Sequence, residues 1–389
     1  MGLKELSKPS FPQLCWQEKD GLQSAHWRSE SGAPLPRRVR VVDDTLTADA
    51  AYRLSCEGTA LLWRGDFQNA RQLLQAMARR FDRKPLSSGK SSTDFPESFH
   101  LKRMTQAQRS RILGMLLIPI EAGHIVALRR APDVKQACSE AYGIAEMPYV
   151  VSLRELQGVI GAHEWRKKGV AIAELGDERI YPHYGVFSPV RGEYVALVAQ
   201  APLPAVVAAN SLAFDVGTGT GILAAILTRR GIQRIVATDT SERALGCARE
   251  NIDRLNFGDR IKLNECDLFP AGRASLIVCN PPWLPGKASS LLESAVYDPD
   301  SRMLRGFLSG LAAHLEPDGE GWLILSDLAE HLKLRSREML MEWIESAGLM
   351  VLGKLTTRPT HGKAYDPKDP LHAARVLETT SLWRLGIKA

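Results

Sequence analysis

The chain has 389 residues, of which 44% are hydrophobic and 24% charged, with a formal net charge of +6. That length exceeds one ordinary core, and the balance excludes disordered and fibrous chains, which leaves a globular protein of two or three domains. The positive excess favours nucleic acid or another acidic partner without requiring one.

Residues 1–36 are rich in Ser, Pro and charge and read as a flexible arm. Residues 37–42 (RRVRVV) read as a short basic strand, and Thr45 as the cap of a helix reaching about Cys56. Asp66 opens a second helix, whose Phe67, Ala70, Leu73, Leu74 and Met77 recur at helical spacing. Its far end carries the basic cluster Arg79, Arg80, Arg83 and Lys84, which suits either phosphate contacts or a solvated helix end. Residues 85–98 read as a turn-rich loop, Thr105 as a cap, and residues 123–130 as a strand. Pro132 and Asp133 precede a helix ending near Gly143. No catalytic motif falls in this part, so residues 37–150 are expected to form an N-terminal recognition domain of α+β type.

A helix over residues 152–168 and two short strands joined by a Gly-Asp-Glu turn come next. From Leu212 on, apolar strands alternate with amphipathic helices, the mark of an α/β fold with a mostly parallel sheet. The strand Leu212–Val216 runs into Gly217-Thr218-Gly219-Thr220-Gly221 and then a helix. Strand, glycine turn and helix in that order begin a doubly wound nucleotide fold, and the glycines allow the backbone to approach a ligand closely. The spacing G-T-G-T-G differs from the dinucleotide G-x-G-x-x-G, which is built around a pyrophosphate. S-adenosyl-L-methionine has no phosphate, and its amino-acid end fits such a loop, with Asp215 placed to attract its ammonium group. Asp239 ends the second strand, where a carboxylate can accept two hydrogen bonds from a ribose diol. Asp267 follows the third strand, where an acid can accept from the adenine amino group.

The fourth strand, residues 274–279, ends in Asn280-Pro281-Pro282-Trp283. Two prolines supply no backbone donors and stiffen the turn. They fix Asn280, whose side-chain oxygen and neighbouring carbonyl can accept hydrogen bonds from a substrate amino group. Trp283 offers an aromatic face to a planar group. In-line attack of such a nitrogen on a sulfonium methyl needs positioning above all, with no metal and no covalent nucleophile. The cysteines Cys15, Cys56, Cys138, Cys247, Cys266 and Cys279 form no C-x-x-C pair, which argues against zinc and for reduced thiols. The first 16 residues lack the apolar core of a signal peptide and no apolar run has the length of a membrane span, so the cytoplasm is the expected location.

These motifs resemble the class I S-adenosylmethionine-dependent N-methyltransferases with an N-P-P-aromatic loop, in the small-domain methyltransferase superfamily. The resemblance covers about residues 165–355 of a domain expected over 151–389. It implies a Rossmann-like sheet of seven strands, the last antiparallel. It also implies methionine-end binding by Asp215, Gly217, Gly219 and Gly221, ribose binding by Asp239, adenine contact by Asp267, and an acceptor loop of Asn280, Pro281, Pro282 and Trp283. Pro189, Glu193 and Tyr297-Asp298-Pro299 are similar to signatures of the release-factor glutamine methyltransferases, although Arg191 falls one place late, Gly192 replaces a Thr, and Trp283 stands where that family has Tyr. Ribosomal RNA guanine methyltransferases carry a G-V-F-S segment like residues 185–188, and adenine-N6 methyltransferases share the acceptor loop. Residues 356–377 interrupt the expected last hairpin, and their His361, Lys363, Lys368, His372 and Arg375 suit an anionic substrate or a solvated loop.

Three functions follow as expectations. The first is methylation of an amino group of a nucleic-acid base, in RNA ahead of DNA. The second is N5-methylation of a protein glutamine. The third is a non-catalytic cofactor-binding module, against which the intact acceptor loop argues.

Overall fold

The computed structural model describes residues 11–83, 95–190, 192–208, 211–288, 293–360, 365–367 and 369–388. The chain divides into two compact units, residues 1–91 with 103–163, and residues 92–102 with 164–389.

The first unit is built on a six-stranded mixed sheet in the order Gln13–Glu18, Gly21–Trp27, Tyr149–Ser152, Leu116–Ile120, Thr59–Trp63, Arg38–Val42. Residues 13–27 are therefore no loose arm. The segment Gln13–Glu18 alternates exposed and buried positions, and Leu14, Trp16 and Trp27 share an apolar cluster with Ala60, Leu62, Leu117 and Val150. Period-two burial of Leu14 and Trp16, with Trp27 joining them from the next strand, outweighs the Ser- and Pro-rich flanks. The helix Phe67–Arg83 buries the five apolar residues that its spacing picks out, and Asp66 accepts a hydrogen bond from Gln68 N at 2.9 Å. Three boundaries differ from the sequence expectation. Thr47, not Thr45, caps Ala48–Cys56, while Thr45 donates to Asp43. Thr105 and residues 95–98 lie within the helix Phe95–Leu113. The strand expected over 123–130 lies instead at Leu116–Ile120, because left-handed φ at Gly123, His124 and Arg130 breaks extended backbone there. Lys84 and most of the expected loop over 85–98 lie outside the described residues.

The second unit holds a seven-stranded sheet, whose strands are β1 (Leu212–Val216), β2 (Arg234–Asp239), β3 (Ile261–Glu265), β4 (Ala274–Cys279), β5 (Leu315–Ser326), β6 (Leu349–Thr357) and β7 (Thr380–Ile387). The order is β3-β2-β1-β4-β5-β7-β6. The first five strands run parallel, and β7 is antiparallel to both β5 and β6. The α/β class read from the sequence is borne out. Chain order reverses between β1 and β4, which opens a crevice at their carboxyl ends.

Alternation along the central strands sorts side chains to two apolar layers. Ala213, Leu276, Val278, Trp322 and Ile324 join one layer with the helices Glu193–Gln200 and Ile222–Arg229. Phe214, Val216, Ile277, Cys279 and Leu323 join the other with the helices Arg302–His314 and Arg337–Ser346. The same period-two rule puts Asp215 on the side of the Ile222–Arg229 helix. Among the described residues no helix is long and apolar enough to cross a membrane.

Deleting residues 1–27 removes two paired strands and strips one side of the Leu62–Leu117–Val150 cluster. The expected outcome is loss of the cooperative melt of the first unit and rapid proteolysis of residues 37–163. A truncated protein that melts like the full chain contradicts this packing.

Candidate active site

Val216 stands opposite Cys279 in the β1–β4 ladder, so the glycine turn and Asn280 begin at neighbouring strand ends. Gly217, Gly219 and Gly221 all take left-handed φ, at +74°, +57° and +81°. The turn is tied to β2 by Gly217 N and Thr218 N, which both donate to Thr238 O. A side chain at Gly217 is strained by the left-handed φ, and it would displace the Met303 methyl, which lies 2.5 Å from where a Cβ would sit.

Asp215 is 1% exposed. Its Oδ2 accepts from Thr218 Oγ1 at 2.7 Å and from Ala224 N at 3.0 Å, whereas Oδ1 is buried with no partner. Burial, with the charge of Asp239 adding to it, pushes its pKa up to about 6. Asp239 Oδ2 accepts from Gly219 N at 3.1 Å and its Oδ1 from Ser241 N at 2.9 Å, and burial raises its carboxyl too. Two carboxylates and the glycine turn thus form one cradle at the ends of β1 and β2. Asp267 differs from them: it is exposed and paired with Arg302. Arg302 adjoins Met303, so the Asp267 pair and the contact over Gly217 come from one helix start.

At the end of β4, Trp283 Nε1 donates to Asn280 Oδ1 at 2.9 Å. The indole also packs against both apolar layers. The tryptophan therefore holds the asparagine oxygen in place, a role its residue type alone does not announce. Pro281 is buried and Pro282 half-buried. Leu284–Pro285 pairs with Tyr297–Asp298, and Asp298 accepts from Met303 N at 3.0 Å and Leu304 N at 3.1 Å. Asp298 thus caps the helix Arg302–His314 and ties it to the acceptor loop.

Sequence reasoning left Glu193 out of the site. It is 8% exposed, begins the helix Glu193–Gln200, and neither of its carboxylate oxygens has a partner. Burial raises the Tyr194 hydroxyl, and the charges of Asp215 and of the neighbouring Glu193 raise it further. No pattern in the sequence announces an unpaired buried acid, because its burial is tertiary. Arg191, His361, Lys363 and Lys368 lie outside the described residues. Arg375 pairs with Asp369 at 3.0 Å, and His372 starts a helix over His372–Leu377. Among the described residues no group of three or more His, Cys, Asp or Glu could hold a metal ion.

An open α/β sheet with a glycine turn at its switch point and a proline-braced loop on the adjacent strand is the arrangement that the sequence resemblance leads one to expect. Residues 178–343 match the family model of the methyltransferase small domain. Among curated relatives, the tRNA1(Val) (adenine(37)-N6)-methyltransferase of Bacteroides thetaiotaomicron is 31% identical over 132 residues, covering 32% of this chain and 56% of that protein. The release factor glutamine methyltransferase of Cereibacter sphaeroides is 34% identical over 119 residues, covering 27% of this chain and 43% of that one. The chain thus spans about half the length of these relatives. Among solved structures, the ribosomal protein L11 methylase of Lactobacillus delbrueckii subsp. bulgaricus covers 55% of this chain and 87% of its own at 19% identity, with a TM-score of 0.36.

The raised pKa of Asp215 has a sign that calorimetry can read. An acid whose pKa is higher folded than unfolded binds more protons in the native state, so its penalty on folding grows as pH rises from about 4 to about 6 and is complete above that. Asp215→Asn should therefore raise the melting temperature of the ligand-free protein by roughly 2–6 °C at pH 7.5, and the gain should shrink as pH falls toward 4. A variant that melts lower at every pH contradicts this reading.

Proposed function

We propose that the protein transfers a methyl group from S-adenosyl-L-methionine to an amino nitrogen of a nucleic-acid base, with RNA ahead of DNA as the acceptor. The observation that carries this reading is the adjacency of the Asp215–glycine–Asp239 cradle and the Asn280–Trp283 loop on neighbouring strands. The cradle suits the cofactor because it combines a buried, half-satisfied carboxylate for an ammonium group, glycines that admit a close ligand, and a second carboxylate for a diol.

Bound there, the cofactor supplies an electrophilic methyl group on a positive sulfur, with the sulfide as leaving group. The protein's part is positioning. Asn280 Oδ1 takes one hydrogen bond from Trp283 and keeps a second lone pair for an amino hydrogen of the acceptor. Accepting that hydrogen draws the nitrogen lone pair out of the ring system and toward the methyl carbon. A donor held there would give up its methyl and leave as the sulfide, and the methylated nitrogen would release one proton to water. Pro281 and Pro282 stiffen the loop, so the acceptor meets a geometry already in place.

The relatives support the class of acceptor from both sides, since one set acts on an adenine amino group of tRNA and another on a release-factor glutamine. The second reading, a protein glutamine, draws on Pro189, Glu193 and Tyr297-Asp298-Pro299. The Asp298 part of that signature has a structural task as a helix cap, which serves either acceptor.

Methyl-tritiated S-adenosylmethionine incubated separately with ribosomal RNA, transfer RNA, DNA and release factors should label RNA. Asn280→Ala should cut the transfer by about 10²-fold or more while calorimetry shows cofactor affinity within a few-fold of wild type. Label confined to release factors overturns the acceptor, and wild-type protein that binds no cofactor overturns the function.

A further inference from the structure

The helix Leu153–Lys168 ends in an aromatic residue and three cations, Trp165, Arg166, Lys167 and Lys168. Cations suit a helix C-terminus, so the charges have a structural reason that the indole lacks. Trp165 is 51% exposed, whereas the other tryptophans of the chain are buried or half-buried. A single exposed apolar residue needs no explanation. Trp165 is not single, because it begins a continuous surface of rings and cations.

Gly169 closes the helix with a left-handed φ of +63°, its N–H donating to Trp165 O at 2.8 Å. With no side chain there, the Tyr181 ring comes within 2.9 Å of where a Cβ would sit. Arg179 Nη1 donates to Lys168 O at 3.0 Å and to Gly169 O at 3.3 Å. The Arg254 guanidinium lies 4.2 Å from the centre of the Tyr181 ring, and Lys168 Nζ lies 5.8 Å from that of Trp165. Trp165, Lys168, Arg179, Tyr181 and Arg254 therefore adjoin one another, all within the second unit, and all but the half-buried Tyr181 are exposed. Lys167 pairs with Glu164, and Glu250 pairs with Arg166 and Arg254. Lys168 and Arg179 have no carboxylate partner among the described residues. Asn251 ties this surface to the cofactor cradle, since its Nδ2 donates to Tyr181 O at 3.4 Å and to Thr220 O of the glycine turn at 3.1 Å.

Rings interleaved with uncommitted cations fit a single strand of nucleic acid, because every base offers a face to stack and every phosphate a charge to pair. The Lys168 ammonium stands near the outer limit of attraction to the indole, so a base can displace it and leave it to a phosphate. We propose that this surface holds a single-stranded segment of the nucleic acid that carries the acceptor base, with one base stacked on Trp165 and phosphates at Lys168 and Arg179. The proposal rests on the nucleic-acid reading above and adds a contact outside the acceptor loop, one that grips the strand whatever its sequence.

The test is binding of the full chain to a fluorescein-labelled single-stranded oligouridylate of about 15 nucleotides, followed by anisotropy at several salt concentrations. Trp165→Ala should weaken binding by about 5- to 100-fold, and Trp165→Phe should restore most of it, because a phenyl ring still stacks. Lys168→Gln and Arg179→Gln should each lower the slope of log affinity against log salt by about 0.7, the share of one phosphate on a single strand. Cofactor affinity should stay within a few-fold of wild type in every variant. Wild type that does not bind the oligonucleotide, Trp165→Ala that binds like wild type, or a loss in folded Trp165→Ala that Trp165→Phe does not restore overturns the proposal. A polyglutamate peptide that binds through Trp165 while the oligonucleotide does not overturns it in favour of an acidic protein partner. Should Trp165→Ala fail to fold, ultraviolet crosslinking of wild type to the oligonucleotide decides: an adduct at Trp165 supports the surface, and adducts only elsewhere overturn it. Methyl transfer enters none of these readouts. RNA that is labelled by the enzyme yet bound normally by Trp165→Ala refutes this surface alone, whereas label confined to release factors refutes the reading on which it rests.

Discussion

A carboxylate buried in the sheet with one oxygen unpaired is the constraint around which the second unit is arranged. Asp215 sits between Thr218 and Ala224 N, and those two donors satisfy only its Oδ2. Removing it from water pushes its pKa up and charges the fold for the ionised form, so nothing about Asp215 is explained by stability alone. A positively charged ligand that donates hydrogen bonds would return what the buried position withholds. The left-handed glycines let such a ligand approach the backbone, and Asp239, hydrogen-bonded to Gly219 N, closes the other side.

The start of the helix Arg302–His314 links the two ends of this site. Asp298 caps it, Arg302 pairs with Asp267, and Met303 lies over Gly217. Tyr297 and Asp298 pair in turn with Leu284 and Pro285, which follow Trp283. One helix terminus therefore touches the acid proposed for adenine, the glycine turn and the strand that supports the acceptor loop. This arrangement accounts for Asp298 in terms of structure.

Much of the second unit was legible because its strands carry unambiguous local signals. The strand Ala274–Cys279 is a run of buried residues closed by two prolines, and Leu212–Val216 is closed by glycines, so pattern and terminator agree. The first unit was less legible for identifiable reasons. Gln13–Glu18 alternates as a strand should, but its neighbourhood of Ser and Pro suggests a loop, and what overrides that is its hairpin with Gly21–Trp27, whose His26 and Trp27 pair with the distant Tyr149 and Val150. Residues 123–130 look extended, yet left-handed φ at His124 and Arg130, which favours glycine, is imposed by the fold; the buried His124 ring, for one, bonds Tyr149 and Gly143. At the site, the candidate residues at strand ends could be named from motif and spacing. The unpaired state of Glu193 and the Trp283–Asn280 hydrogen bond could not, since each depends on what surrounds a side chain in three dimensions.

The central claim is that donor cradle and acceptor loop face one reaction point. A crystal structure of the protein with S-adenosylhomocysteine tests it most directly. The account predicts the ligand's amino group at Asp215, its ribose at Asp239, and its sulfur turned toward Asn280 with room between them for a methyl group and a planar amine. A ligand bound elsewhere, or one whose sulfur faces away from Asn280, would contradict it.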